Sequence, residues 1–464
     1  MARALDCGDI HQARHAFFQL PVAIRNEPST RYLAFKIALT ANDRGLAEES
    51  IDLIVRSAGQ DPTFLYACAL DAQQSQMRSM AIVALQAVLD KKPPGAHLSS
   101  VLRCTARLII ADSEASEEGI KCCTHAILEV FEAANRCKEQ IRHAAPGLWI
   151  SEVQWWSKNT YNLALQACVA MDPGSLIRLL MVCQSFLHSW SDGMSVQQQD
   201  DISYRKMSCS FLSITALMVL GRTSTEPARR ESYAQARKHI DTFNLLYKVS
   251  TRSVRSEEDC LAQKRAFQVL KFDVECVIKL EQWSEMRKAL EACLNFEGAS
   301  RWDSLVDLLI IAKEEIRAYV PNSEHAVLQL LQRAILATWE EEKDLAKLAQ
   351  WVRIAFTLSL EGERSEFGLL LAQQAAGMAE GGHKDRHDRY PPAELHWLAS
   401  TCFNRAVDFL GSYHNDNAVL WMDAALALAR WADDNGSLHA LLTERRTVAQ
   451  QRIEQHQQQQ ERPL

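Results

Sequence analysis

The sequence predicts an all-α protein, a right-handed superhelical solenoid of TPR-like antiparallel helix pairs. Three observations predict it. Turn-forming residues are sparse, with 17 glycines and 12 prolines in 464 residues, no glycine over 222–297 and no proline over 228–320. A strand-rich fold needs a turn signal about every 8–12 residues, whereas one helix consumes many residues before it turns. Apolar residues recur at spacings of three and four, as in Leu305, Leu308, Leu309 and Ala312, and in Val327, Leu330, Leu331, Ala334 and Ile335. Each set lies along one face of a helix. The third observation is a shared frame. Ser50, Ile54, Ser57 and Pro62 carry the same offsets as Ala81, Leu85, Val88 and Pro93, a repeat of about 31 residues that is close to the TPR period.

The elements follow in chain order. Gly8-Asp9 followed by Ala13, Phe17 and Leu20 reads as the second helix of a pair. The next pair runs from Thr30 to Ala41, turns at Asn42-Asp43-Arg44-Gly45, and continues to Ser57, with Gly59 and Pro62 as its stop. A further pair starts at Pro62, turns near Gln73 to Gln76 and ends before Pro93-Pro94. In this frame the small residue admits the paired helix, the large residue four positions on fills the groove, and proline ends the helix. Beyond residue 95 the period loosens, although Trp283 to Leu294 and Ala418 to Trp431 still read as helices of such pairs. About 20 helices are expected, at roughly 40 residues per hairpin.

Breaks are expected at Gly221 to Glu231, Ser250 to Glu258 and Glu380 to Pro392. The expected organisation is a helical array over 1–380, a linker at 381–392, a terminal hairpin over 393–448 and a glutamine-rich disordered tail over 449–464. Gly381-Gly382, a charge cluster and Pro391-Pro392 mark the linker.

Composition narrows the function classes. Apolar residues make up 47% and charged residues 23%, so the chain can bury a large core. A net charge of −7 gives no electrostatic reason to expect direct nucleic-acid binding. The basic clusters, Arg229-Arg230 and Lys384 to Arg389, are short and read as solvated loops. Thirteen irregularly spaced cysteines, many in apolar helical runs such as Cys68, Cys168 and Cys276, read as reduced core thiols of a cytosolic or nuclear protein. No stretch has the roughly 18 unbroken apolar residues of a membrane span, and the N-terminus lacks a signal-peptide core.

Chemical motifs are missing. The chain has no G-x-G, no P-loop, no G-x-S-x-G, no H-E-x-x-H and no C-x-x-C. His11 and His15 with Cys7, His383 with His387, and Cys122-Cys123 with His125 are the nearest approaches to a metal site. All read better as ordinary helix or loop residues. Glu314-Glu315 and Glu340 to Glu342 read as solvated helix faces. No catalytic residue, cofactor, metal or small-molecule substrate is therefore expected. The 11 tryptophans could line a peptide groove, but helix packing is the expected use.

One stretch is distinctive: EVQWWSKNTYNLALQA, Glu152 to Ala167, after Pro146-Gly147. Helical spacing puts Trp155, Asn159 and Asn162 on one face, with Trp156 aside, so Trp155 is expected in the core and Asn162 buried and paired. The stretch resembles the signature of the fungal meiotic family called sporulation-specific protein 22, or Zip-four, in which a tryptophan-rich helix is followed by an aromatic-Asn pair. Trp155, Trp156, Tyr161 and Asn162 carry the motif here, with tyrosine where many members have tryptophan. The region from GDIHQARHAFFQLP through DKKPPG looks like that family's TPR-like array, and the resemblance extends over about residues 1–320.

The resemblance implies a meiosis-specific nuclear scaffold without a catalytic centre. Its partners would be other meiotic proteins, the synapsis-initiation and crossover factors on meiotic chromosomes. The four motif residues transfer in a structural role. Members of the family are usually longer, and residues 1–20 present Leu5, Ile10, Phe17, Phe18 and Leu20 rather than a polar cap. The chain is therefore expected to be an internal or C-terminal portion of a longer product, or a shortened gene model. The alternative is a general TPR adaptor or regulatory subunit outside meiosis.

Overall fold

A computed structural model describes residues 1–57, 61–91, 97–113, 116–190, 196–250, 257–296, 302–320, 323–361, 365–385 and 389–460. Among the described residues there is no strand. The helices pack in consecutive antiparallel pairs, in two compact units, Met1–Val254 and Arg255–Leu464.

The first unit contains α1 (Ala2–Asp6), α2 (Ile10–Phe18), α3 (Val22–Arg25), α4 (Pro28–Ala41), α5 (Arg44–Ser57), α6 (Thr63–Gln74), α7 (Arg78–Lys91), α8 (Leu98–Asp112), α9 (Glu117–Arg136), α10 (Lys138–Ala144), α11 (Trp149–Ala167), α12 (Pro173–His188), α13 (Val196–Thr223) and α14 (Ala228–Ser250). The hairpins are α4/α5, α6/α7, α8/α9, α11/α12 and α13/α14. Between neighbouring hairpins α4 packs on α6, α5 on α7 and α9 on α12.

Three hairpin turns in this unit are built identically. Gly8, Asn42 and Gln76 each take a left-handed conformation. The next residue donates its N–H back across the helix end, from Asp9 to Ala4, Asp43 to Ala38 and Met77 to Ala72, each at 2.9 Å. With the left-handed residue's own N–H bonding to Leu5, Leu39 and Gln73, this double closure satisfies carbonyls that the helix end would otherwise leave open. The turns fall 34 residues apart, which is the TPR period.

That spacing corrects the register read from the sequence. The equivalent buried sets are Ala13, Ala47 and Ala81, then Phe17, Ile51 and Leu85. Ser50 and Ala81 are therefore not equivalent, although Ser50 is also buried. Ser57, grouped with Val88 in the earlier frame, is exposed, and it is Ile54 that stands at Val88's place. The stops expected at Gly59 and Pro93-Pro94 lie outside the described residues.

The second unit contains α15 (Glu257–Lys279), α16 (Trp283–Leu294), α17 (Asp303–Ile311), α18 (Lys313–Tyr319), α19 (Ser323–Ala337), α20 (Leu345–Glu361), α21 (Ser365–Asp385), α22 (Pro392–Gly411), α23 (Asn415–Ala429) and α24 (Ser437–Gln460). A π-turn over Thr338–Glu342 follows α19 and holds the Glu340 to Glu342 run. Glu281 and Tyr413 repeat the left-handed turn in the α15/α16 and α22/α23 hairpins. A continuous apolar core runs from Phe267 to Ala449.

Three expected irregular segments are helical. Gly381 and Gly382 lie inside α21 rather than opening a linker. The reason is close packing: a Cβ on Gly381 would stand 3.0 Å from the Trp339 ring, so glycine there admits a neighbour instead of breaking the helix. Of that linker's other signals, Pro391 caps and Pro392 opens α22, and residues 386–388 lie outside the described residues. The glutamine-rich tail continues α24 as far as Gln460, and 461–464 lie outside the described residues. Arg229-Arg230 occupies the first turn of α14, where Arg229 Nε donates to the carbonyl of Ser224 at 3.0 Å. The expected break over 221–231 shrinks to the turn between α13 and α14, and 251–256 lie outside the described residues.

Candidate functional site

The motif helix α11 sits in the middle of the first unit. Its buried stripe is Trp149, Val153, Trp156, Thr160, Leu163 and Ala167, spaced by fours and threes. Trp156 is fully buried. Its ring meets Phe131 of α9 edge-on at 5.4 Å and stacks on Phe186 of α12 at 5.9 Å. One tryptophan thus joins three helices. Thr160, one turn on, is buried with its hydroxyl donating to the carbonyl of Trp156 at 2.6 Å.

The stripe reverses the orientation expected from the sequence. Trp156, not Trp155, faces the core, and Asn162 is exposed. Trp155, Asn159 and Asn162 do share a face, but it is the solvent-side edge of α11. Asn159 turns its amide back onto its own helix, donating from Nδ2 to the carbonyl of Trp155 at 2.7 Å. The apolar stripe lies one residue out of phase with the aromatic-amide pattern, and burial follows the stripe.

Trp155 is half-buried at this edge, with its ring edge-on to Trp156 at 4.7 Å. Arg103 of α8 places its guanidinium 4.9 Å over the Trp155 ring, and Arg107 lies at 5.6 Å. The same Arg103 donates from Nη1 to Oε1 of Glu152 at 2.8 Å. Glu152 is buried, and its other oxygen, Oε2, has no hydrogen-bond partner among the described residues. Arg103 therefore neutralises an enclosed carboxylate and caps an aromatic face at once, a combination suited to the flat guanidinium. Farther along α11, Arg205 of α13 lies 5.8 Å over the half-buried Tyr161 ring and pairs with Asp201 at 2.7 Å.

Tyr32 of α4 donates to Oδ2 of Asp71 on α6 at 2.7 Å. Burial, then the Asp71 hydrogen bond, pushes the Tyr32 hydroxyl above the usual phenol range. Polar-aromatic contacts thus join α4 to α6, α8 to α11 and α11 to α13.

The four motif residues do not converge on one point. Trp156 is core, Trp155 and Tyr161 are each covered by an arginine, and Asn162 faces solvent. Sequence reading missed Arg103, Arg107 and Arg205, which lie on other helices. Glu152 was the one available signal, a carboxylate one turn before Trp156 and beside the apolar stripe.

No group of three or more metal-ligating side chains comes together among the described residues. His11, His15 and Cys7 are all exposed, and the His383 ring packs 5.1 Å from Trp431, while His387 lies outside the described residues. Cys68 and Cys276 are buried as expected, but Cys168 is exposed at the end of α11. Burial pushes the Cys68 thiol up to about 12. No described helix is long and apolar enough to cross a membrane.

Comparison with known proteins adds little. No family model matches the chain, and no curated protein matches it. Among solved structures, the chain aligns with one titled "Circular tandem repeat protein with novel repeat topology and enhanced subunit contact surfaces", at 14% identity over 96% of this chain and 97% of that one, with a TM-score of 0.25. A likeness at that score carries no argument about this chain.

Proposed function

We propose that the chain is a non-catalytic scaffold that binds other proteins along its helix pairs, and that it does so in meiosis. The protein-binding reading rests on one observation, the half-buried Trp155 ring on the solvent-side edge of α11 under Arg103 and Arg107. Half-buried aromatics beside arginines are the side chains that interfaces favour. The mechanism is co-localisation: partners held on one array meet at high effective concentration.

The meiotic part rests on the resemblance carried by Trp155, Trp156, Tyr161 and Asn162. On this reading the chain works in the nucleus, on meiotic chromosomes, with synapsis-initiation and crossover factors as partners and no direct nucleic-acid contact. The three turns spaced by 34 residues favour a second reading, a general TPR adaptor, because they specify a repeat without specifying a process. Immunoprecipitation from meiotic cells followed by mass spectrometry separates the two. Recovery of synapsis and crossover proteins, lost with Arg107→Glu, is the expected result. Expression outside meiosis with unrelated partners overturns the meiotic reading.

A further inference from the structure

α4 packs directly on α6 in the first unit, whereas α22 and α24 do not make such a direct packing contact. Between them lies an open groove of about 670 Å³. Its walls carry apolar side chains that a lone surface would not favour. Val407 on α22 is 50% exposed, Leu441 on α24 is 45% exposed and Val448 is 49% exposed. Gly411 at the end of α22 has open space where a Cβ would be, so a neighbouring helix can come close there.

The α24 wall has an internal symmetry. Leu441, Glu444, Arg445 and Val448 fall on one face of the helix, and all four are exposed and line the groove. Among the described residues Glu444 and Arg445 have no ion-pair partner, whereas the adjacent Arg446 is held by Asp423 at 2.6 Å. The stripe reads apolar, acidic, basic, apolar. Laid antiparallel on an identical stripe about the midpoint between Glu444 and Arg445, it sets Leu441 opposite Val448 and Glu444 opposite Arg445, each contact made twice. A parallel arrangement would set Glu444 on Glu444 and Arg445 on Arg445.

We propose that the occupant of this groove is a second copy of the chain, paired antiparallel through α24 about a twofold axis. Self-complementarity is what a twofold contact between identical surfaces requires. The central charges select the antiparallel register, and the flanking apolar residues supply the buried area. One helix pair is a small interface, so association is weak, with a Kd on the order of 10 µM.

Sedimentation velocity of the full chain over about 1–200 µM, spanning that Kd, tests the proposal. The parent is expected to shift from monomer to dimer across this range. Leu441→Glu is expected to be monomeric throughout. Glu444→Arg sets arginine on arginine and is expected to weaken the dimer at least about tenfold. The charge-swapped Glu444→Arg/Arg445→Glu restores opposite charges in the same register and is expected to regain parental affinity. Thermal melts matching the parent confirm that these surface variants fold. A parent that stays monomeric overturns the proposal, even if its groove takes a foreign helix. So does a dimer indifferent to Leu441→Glu, or a charge swap that remains as weak as Glu444→Arg alone.

Discussion

Arg103 donates to Glu152 at 2.8 Å across 49 residues of sequence, tying α8 to α11 through a carboxylate whose side chain is only 7% exposed. An enclosed charge depends on its partner. Removing Arg103 leaves that carboxylate unpaired, at a cost of about 3–5 kcal/mol. Replacing both by methionine is expected to restore most of the loss, because a well-packed apolar pair needs no charge compensation. Urea denaturation of Arg103→Ala and of the double variant measures both. A loss below about 1 kcal/mol for Arg103→Ala, as for an exposed pair, contradicts the buried reading.

Neighbouring motif residues are expected to separate sharply in stability. Trp156→Ala empties the junction of α9, α11 and α12 and costs about 3–5 kcal/mol. Trp155→Ala removes a half-buried ring and is expected to cost about 1–2 kcal/mol. Asn162→Ala, on the exposed edge, stays within about 0.5 kcal/mol of the parent. Chemical denaturation of the three variants gives the order directly, and a larger loss at Trp155 than at Trp156 refutes the orientation of α11.

Asp172 caps α12, accepting from the backbone N–H of Ser175 at 2.9 Å. The hydrogen bonds from Ser175 hold its carboxyl below the ordinary carboxylate value. The folded state therefore binds that proton less readily than the unfolded chain. Its contribution is full above the unfolded value and is lost as pH falls through the lowered folded value. Asp172→Ala is expected to cost about 1 kcal/mol at neutral pH. Asp172→Asn keeps the cap and should flatten the acid side of the stability profile. Melting temperatures between about pH 2 and 7, which bracket the carboxylate range, check this.

Two glycines of α21 are expected to answer alanine in opposite ways. Gly377 has nothing within 4 Å of its Cβ position, so Gly377→Ala gains about 0.5–1 kcal/mol from helix propensity. At Gly381 the added methyl meets the Trp339 ring at 3.0 Å, and overpacking of about 1–3 kcal/mol offsets that gain. Gly377→Ala should melt above the parent and Gly381→Ala below it. A gain at both positions would mean that the π-turn holding Trp339 yields freely.

Much of the hairpin geometry was legible in local sequence. The turn at Asn42-Asp43 and the limits of α4 to α7 follow from cap and turn residues, whose energetics involve only a few neighbours in the chain. The exact repeat was hidden because its turn position holds Gly8, Asn42 and Gln76. These three residues look unlike one another and share a backbone conformation. The apparent frame at Ser50 and Ala81 matched residue types at the wrong phase.

By itself the sequence determined the fold class and the pairing of helices, because the 3.6-residue apolar stripe and the scarcity of turn residues act within each segment. It did not determine which side of α11 is inside. Trp155 and Trp156 are chemically identical and adjacent, so either phase satisfies the local pattern. Only packing separates them: Phe131 and Phe186 enclose Trp156, while Arg103 of α8 is placed to cover Trp155 and neutralise Glu152. Those partners come from other helices, and a choice that depends on long-range contacts is made only when the tertiary structure forms.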